Sequence, residues 1–165
     1  MHAPSRSRFG MSTPTVLAWI LVLGTILLAT LGKAFIDIPE VVNASAHRQR
    51  SLDLVLFNGF VHPKVWWAPW TNTLGNIALF LPVGLLVGPR LGRALAVGAA
   101  LSLGIEITQY LMAWGYTDLD DLVFNTLGAA LGSVWARRAH PRRVRAVLIS
   151  GGAALCTLGL WRLLF

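Results

Sequence analysis

Acidic and amide side chains recur at helical spacing in two apolar stretches of the sequence. In the first stretch, Glu106 and Gln109 are three residues apart and share one helix face. In the second, Asp118, Asp121 and Asn125 follow at intervals of three and four. A carboxylate inside a bilayer helix costs on the order of 2.5–3.5 kcal/mol, so such a residue is by default a candidate for binding or catalysis.

A third apolar stretch adds amides, because Asn72 and Asn76 are four residues apart near its start. A lone buried polar residue usually serves as a hydrogen-bonded link between helices. Amides and carboxylates brought to one depth by three helices instead indicate a polar pocket. The predicted ligand-binding residues are Asn76, Glu106, Gln109, Asp118, Asp121 and Asn125.

Three aspartates, Asp118, Asp120 and Asp121, lie within four residues. Thr117 or Asp118 can cap a helix that starts here, and acids favour the positive end of a helix. Three acids exceed what a cap requires, and carboxylates suit Mg²⁺ or Mn²⁺. The same three aspartates are therefore also the candidate ligands of a divalent metal, and no other cofactor is expected.

These carboxylates leave more than one function open. A membrane enzyme acting on a lipid-linked substrate could use the metal site, or Glu106 as a general base. A proton-coupled transporter could use Glu106 as its carrier. No set of nucleophile, base and orienting group is visible in the sequence, so binding without catalysis is favoured.

The composition places these residues in a membrane protein. Only 13% of the 165 residues are charged and 55% are hydrophobic, whereas soluble domains carry about 25% charge. The net charge of +7 comes from basic residues that flank the apolar runs, which indicates topology and not a nucleic-acid partner. The sequence predicts an all-α, polytopic transmembrane bundle in a single domain.

Five spans are predicted, at residues 14–32, 73–87, 94–114, 119–136 and 144–160. A cleaved signal peptide is the alternative for the first, although its apolar run is long and no Ala-x-Ala site follows it. In the fourth, Gly128 and Gly132 are four residues apart and predict a face for close helix packing.

The basic residues also orient the bundle. Arg6 and Arg8, the turn at 90–93 and the loop at 137–145 fall on one side of five spans, so the N-terminus is predicted in the cytoplasm and the C-terminus outside. The acidic turn at 118–121 then faces outside, as does the long loop 34–72. In this loop, Asn58-Gly59 could form a hairpin turn, or residues 54–61 could form an amphipathic or re-entrant element. A tryptophan cluster before the second span is expected to anchor it at the interface.

Residues 72–136 resemble the VanZ-like family. Three motifs on successive spans carry the resemblance: Asn76-x-x-x-Phe80-x-Pro82-x-Gly84, Glu106-x-x-Gln109, and Asp118-x-Asp120-Asp121-x-x-x-Asn125-Thr126-x-Gly128-x-x-x-Gly132. The resemblance implies a bacterial cell-envelope protein, since the founding member is associated with low-level resistance to teicoplanin. Family members often have an Arg a few residues before the Asp-x-Asp-Asp element. This chain has Trp114-Gly-Tyr-Thr117 there, so the resemblance supports no role for such an Arg.

Taken together, residues and resemblance predict a multi-pass protein of the bacterial cytoplasmic membrane whose polar pocket faces outside. Its expected partners are membrane lipids and a lipid-linked cell-wall component or a glycopeptide antibiotic. Binding of either ligand is expected to lower susceptibility to teicoplanin.

Overall fold

The helices and strands are known from a computed structural model that describes residues 11–35, 48, 50–61, 63 and 65–164, with side chains described as far as residue 158. In chain order the elements are α1 (Thr13–Thr30), a 3₁₀ turn (Gly32–Ala34), β1 (Arg50–Asp53), α2 (Asn58–Val61), α3 (Ala68–Val87), α4 (Leu91–Met112), β2 (Gly115–Asp118), α5 (Leu119–Ala136) and α6 (Pro141–Leu164). Residues 36–47, 49, 62 and 64 of the predicted outer loop lie outside the described residues.

Each predicted span corresponds to one of the long helices. An apolar run in a bilayer must satisfy its backbone hydrogen bonds internally, and a helix does so within one segment. Among the described residues, three helices are long and apolar enough to cross a membrane, at Thr13–Ala34, Ala68–Val87 and Leu91–Met112. The chain is therefore a helical protein with at least these membrane-like segments. The count of five spans and their orientation stay predictions.

The fold is not purely α-helical, which corrects the prediction from the sequence. Strands β1 and β2 form a two-stranded parallel sheet, in which Arg50 pairs with Gly115 and Asp53 pairs with Asp118. Helix α4 ends where Ala113 adopts a left-handed conformation (φ 54°). This residue turns the chain back, so that β2 packs against α4.

Of the two alternatives for residues 54–61, the hairpin turn at Asn58-Gly59 is wrong, because these residues begin the one-turn helix α2. The turn before α2 is held by Asp53, whose carboxylate accepts hydrogen bonds from Val55 N (3.0 Å) and Asn58 Nδ2 (2.7 Å). Local hydrogen bonds of this kind compete with strand pairing. Helix α3 begins at Ala68, five residues before the predicted start, so Trp70 lies in its first turn.

The tightest packing lies between α3 and α5, as the spacing of Gly128 and Gly132 predicts. A Cβ atom on Gly128 would lie 2.3 Å from Ile77 O, and one on Gly132 would lie 2.0 Å from Leu81 O. Only a hydrogen atom fits between the two backbones at these positions. The close-packing prediction for this glycine face is confirmed.

A small apolar core holds the other helices to this pair. Its buried side chains come from α1, α3, α4 and α5: Val22, Ile26, Phe80, Val83, Ile105 and Ala129. Helix α6 packs mainly against α1. Helix α5 packs against both α3 and α4. The polar faces of these three helices therefore meet at the end of the bundle where β2 connects α4 to α5.

Candidate functional site

Asp121 is held by two amides of the neighbouring helix. Asn72 and Asn76 are one turn apart on α3, and the Nδ2 group of each donates a hydrogen bond to Asp121 Oδ1, from Asn72 at 2.7 Å. These two bonds fix the first turn of α5 against α3, and they account for the four-residue spacing of the two asparagines.

Glu106 is buried, with 5% of its surface exposed, on the face of α4 that β2 covers. Its Oε2 atom accepts a hydrogen bond from the backbone N–H of Asp118 (2.9 Å), and its backbone carbonyl accepts one from Thr117 Oγ1 (3.2 Å). Helix α4 ends at Met112 and not at Trp114 as predicted. Glu106 is therefore six residues from the helix end, or roughly 9 Å at 1.5 Å per residue.

Glu106 and Asp121 supply the two carboxyl groups at the centre of the site. Their carboxylates are close enough to repel each other, and the Lys33 ammonium attracts both. In the described part of the chain, every hydrogen bond to these two carboxylates comes from a neutral amide group. The described residues thus supply amide dipoles to both carboxyl groups, and none of them donates to these groups from a cationic side chain.

Two buried amides, those of Gln109 and Asn125, lie one helix turn from these carboxyl groups. Gln109 donates from Nε2 to Thr30 O (3.4 Å), and Asn125 donates from Nδ2 to Ser102 Oγ (2.9 Å). Within the described residues, Gln109 Oε1 and Asn125 Oδ1 are buried and accept no hydrogen bond. More than nine in ten buried polar groups in proteins have a partner, so these two oxygens are unusual.

Asp118 has the capping role predicted as one alternative. It is the N-cap of α5, and its side chain accepts a hydrogen bond from Asp120 N (2.8 Å). Desolvation raises the pKa of Asp118 from 3.8 to about 6, and the neighbouring carboxylates of Asp121 and Asp120 act in the same direction. The hydrogen bond from Asp120 N opposes this rise.

Asp120 has a role that the sequence did not predict. Both of its carboxylate oxygens accept a hydrogen bond from the backbone N–H of Phe57, at 2.9 and 3.0 Å. Phe57 has φ 62°, a conformation that is uncommon for any residue other than glycine. Asp120 therefore holds the turn between β1 and α2 against the start of α5.

The three aspartates are engaged by different partners. Asp118 caps α5, Asp120 holds Phe57, and Asp121 accepts from the α3 amides. Among the described residues, no group of three or more His, Cys, Asp or Glu side chains is placed to hold a metal ion. A divalent metal at these aspartates remains a prediction for metal-binding measurements.

An apolar groove of about 310 Å³ opens beside Glu106. Leucines from β1, α4 and α5 form much of its wall, together with Ile107 and Tyr110, and Glu106, Thr117 and Asp118 supply its polar groups. Ligand sites of this size commonly combine an apolar wall with a few placed polar groups. A larger apolar groove of about 400 Å³ lies between α1, α3 and α6, but none of the predicted site residues line it.

Comparison with known proteins identifies the family. The VanZ/LLP1 family model matches residues 17–140, which include all the predicted site residues. The chain belongs to the VanZ/LLP1 family. It is similar to "Protein VanZ" of Enterococcus faecium, with 32% identity over 117 residues, or 68% of this chain. That match spans 66% of the relative, just under two thirds of its length. No solved structure matches the chain.

The structure also bears on the Arg that VanZ-like proteins often have before the Asp-x-Asp-Asp element. This chain has no Arg in Trp114–Thr117, just before that element, but Arg50 on β1 pairs in register with Gly115 of the same stretch. Its Nε and Nη2 atoms donate to the carbonyls of Tyr110 (2.9 Å) and Leu111 (3.2 Å). A guanidinium from a distant part of the chain thus reaches the end of α4, where the helix dipole favours a positive charge.

The structure brings the predicted site residues of this VanZ/LLP1 protein to one end of three helices. Asn76 contacts Asp121, Glu106 contacts Asp118, and Asn125 links α5 to α4 through Ser102. Sequence reasoning missed Asp53, Arg50 and the backbone of Phe57. Arg50 and Asp53 are two of several charges in the loop before α3, and the sequence does not indicate what they contact.

Proposed function

We propose that this VanZ/LLP1 protein binds an amphiphile of the bacterial cell envelope in the outer leaflet of the cytoplasmic membrane. The amphiphile is a lipid-linked cell-wall component or a lipoglycopeptide antibiotic, and its binding lowers susceptibility to teicoplanin. The observation that carries the proposal is the position of Glu106, a buried carboxylate in the wall of an apolar groove.

The groove and the polar centre suit the two parts of an amphiphile. Leu103, Ile107 and Leu122 would contact a hydrocarbon chain along the groove. Carboxylate and amide oxygens can accept hydrogen bonds from sugar hydroxyls and peptide amides. A volume of about 310 Å³ lies at the lower end of the range for ligand sites, so the groove would enclose part of such a molecule and not all of it.

Membership of the VanZ/LLP1 family supports a role in the envelope. The resemblance noted from the sequence associates the founding member of the family with teicoplanin resistance. Fold and family alone do not fix a function, so the proposal depends on the site and needs a direct test.

The test measures teicoplanin susceptibility in a bacterial strain that expresses the chain. Glu106→Gln keeps the size of the side chain and an oxygen that can accept from Asp118 N, so we expect expression and thermal stability near those of the wild type. If the carboxylate binds the ligand, this variant loses the protection that the wild type gives.

Ser102→Ala is the matched control on the same face of α4. Ser102 lies one turn deeper, where it contacts Asn125 and does not line the groove. We expect it to reduce protection less than Glu106→Gln does. A well-folded Glu106→Gln protein that protects as strongly as the wild type would refute the proposed role of the site.

A further inference from the structure

The polar centre holds more hydrogen-bond acceptors than the described residues supply donors for. In the described part of the structure, Glu106 accepts its hydrogen bond at Oε2 and Asp121 accepts both of its bonds at Oδ1, so one oxygen of each carboxylate is unused. Gln109 Oε1 and Asn125 Oδ1 are buried and also lack a donor. Leaving a buried polar atom without a hydrogen bond is unfavourable, so a donor from outside the described residues is expected here.

These acceptors belong to facing turns of two helices. Gln109 is one turn from Glu106 on α4, and Asn125 is one turn from Asp121 on α5, so each pair shares a helix face. The hydrogen bond between Asn125 and Ser102 joins the two faces one turn deeper. Asp118, three residues before Asp121 at the start of α5, donates its backbone N–H to Glu106 (2.9 Å), so the Glu106 and Asp121 side chains lie on facing turns of the two helices. The four side chains therefore lie on facing turns of α4 and α5, at the end of the bundle that carries the groove.

The orientation of the Gln109 amide is fixed by its partner. Thr30 contributes a backbone carbonyl, which can only accept, so the NH₂ group of Gln109 must face Thr30 and its Oε1 must face away. The lack of a donor at Gln109 Oε1 therefore does not depend on how the amide is assigned. With 7% of its surface exposed, Gln109 cannot easily satisfy this oxygen with bulk water.

We infer that the group recognised between Glu106 and Asp121 is a primary ammonium, carried on a molecule whose hydrocarbon part lies in the groove beside Glu106. This inference rests on the proposed function, because it names the chemistry of the ligand at the same site. A primary ammonium has three N–H donors and no acceptor. It supplies both the positive charge and the donors that the two carboxylates and Gln109 lack.

Other head groups fit the region less well. A phosphate or carboxylate adds negative charge and acceptors beside two carboxylates, and a hydroxyl supplies one donor without charge. Lys33 is the ammonium of the chain itself that attracts this centre. It is exposed in the 3₁₀ turn after α1, and hydrogen bonds to the carboxylates come from amides instead. An anionic ligand would need Lys33, whereas an ammonium ligand would be repelled by it.

The experiment compares octylamine with octanol, which share a hydrocarbon chain and differ in the ammonium group. The full chain is placed in nanodiscs of phosphatidylcholine, and binding at pH 7 is measured by calorimetry against empty nanodiscs. We expect octylamine to bind the wild type at least tenfold more tightly than octanol does. Glu106→Gln and Asp121→Asn should each remove most of this preference, while thermal unfolding reports that both variants fold.

Two control variants distinguish recognition of the ammonium group at this site from a general effect of the protein's charge on octylamine binding. Asp53→Asn removes one negative charge from a half-buried carboxylate that is already engaged by Val55 and Asn58, so the preference for octylamine should persist. Lys33→Gln should leave octylamine binding as tight as in the wild type or tighter. Weaker octylamine binding in Lys33→Gln would overturn the inference, because it would indicate an anion site.

The ammonium inference and the proposed function can be refuted separately. Equal binding of octylamine and octanol, or a full preference in both folded Glu106→Gln and Asp121→Asn, overturns the ammonium inference. If Glu106→Gln still abolishes protection against teicoplanin in that case, the site binds its ligand through a different group. If octylamine binds as expected but Glu106→Gln protects normally, the ammonium site stands and the proposed function fails.

Discussion

The contact between α3 and α5 can be tested with one methyl group at Gly84. In the structure, a Cβ atom at this position would lie 1.8 Å from Ala129 O and 2.6 Å from Ser133 N. Cβ atoms in proteins essentially never approach within 3.0 Å of such atoms. Gly84→Ala must therefore move the two helices apart by more than 1 Å, because backbone atoms cannot rotate out of the way as a side chain can.

The expected magnitude combines two opposing effects. Overpacking of a tight interface typically costs about 1–3 kcal/mol, and a contact with backbone belongs at the upper end of this range. Replacing glycine by alanine inside a helix returns about 0.5–1 kcal/mol. We expect a net loss of about 2 kcal/mol in the free energy of unfolding for Gly84→Ala.

Gly75 provides the matched control on the same helix. A Cβ atom on Gly75 meets nothing within 4 Å, so Gly75→Ala should be neutral or stabilising by up to about 1 kcal/mol. Both variants can be unfolded by heat or by a denaturing detergent in mixed micelles. The separation in Gly84→Ala should also lengthen the bond from Asn76 to Asp121 across the same interface. Equal stability of the two variants would refute the close packing of α3 on α5.

Three further predictions concern the end of the bundle that carries the site. In a chain whose native cysteine is replaced, a cysteine at Tyr116 should react with an impermeant reagent in intact cells and one at His140 should not; the opposite pattern would reverse the predicted topology. Asp120→Ala leaves the N–H of Phe57 without its acceptor. We expect the free energy of unfolding to fall by about 1–3 kcal/mol and chymotrypsin to cleave faster at Phe57, with a smaller effect in Asp120→Asn. Unchanged cleavage in Asp120→Ala would contradict this role of Asp120. Because burial raises the pKa of Asp118 from 3.8 to about 6, its ionisation favours the unfolded chain. The contribution of protonated Asp118 to stability is thus fully present below about pH 4 and lost as the pH rises through 6. Over this window, the thermal midpoint of Asp118→Asn should therefore fall less than that of the wild type. Parallel pH profiles of the two proteins would exclude a raised pKa at Asp118.

The sequence predicted the long helices well because their causes are local. An apolar run in a membrane must form its backbone hydrogen bonds within itself, so the run and its flanking charges or turns define the element. Helix α5 is a clear case, since Leu119–Ala136 has the predicted bounds and Asp118 is its cap. The helical spacing of Glu106 with Gln109, and of Asp121 with Asn125, likewise placed each pair on one face.

Contacts between distant segments could not be predicted in this way. Strands β1 and β2 have four residues each and pair across more than 60 positions, which leaves no periodic pattern to indicate the pairing. Asp120 has the same charge and nearly the same position as Asp121, yet one holds the backbone of Phe57 and the other accepts two side-chain amides. The difference arises because successive residues on a helix point about 100° apart. The composition and spacing of the sequence thus determined which side chains lie in the apolar helices and on which helix face. Only the packing of α3, α4 and α5 beneath β2 decided which carboxylates are occupied by the protein itself and which oxygens face the groove or lack a donor.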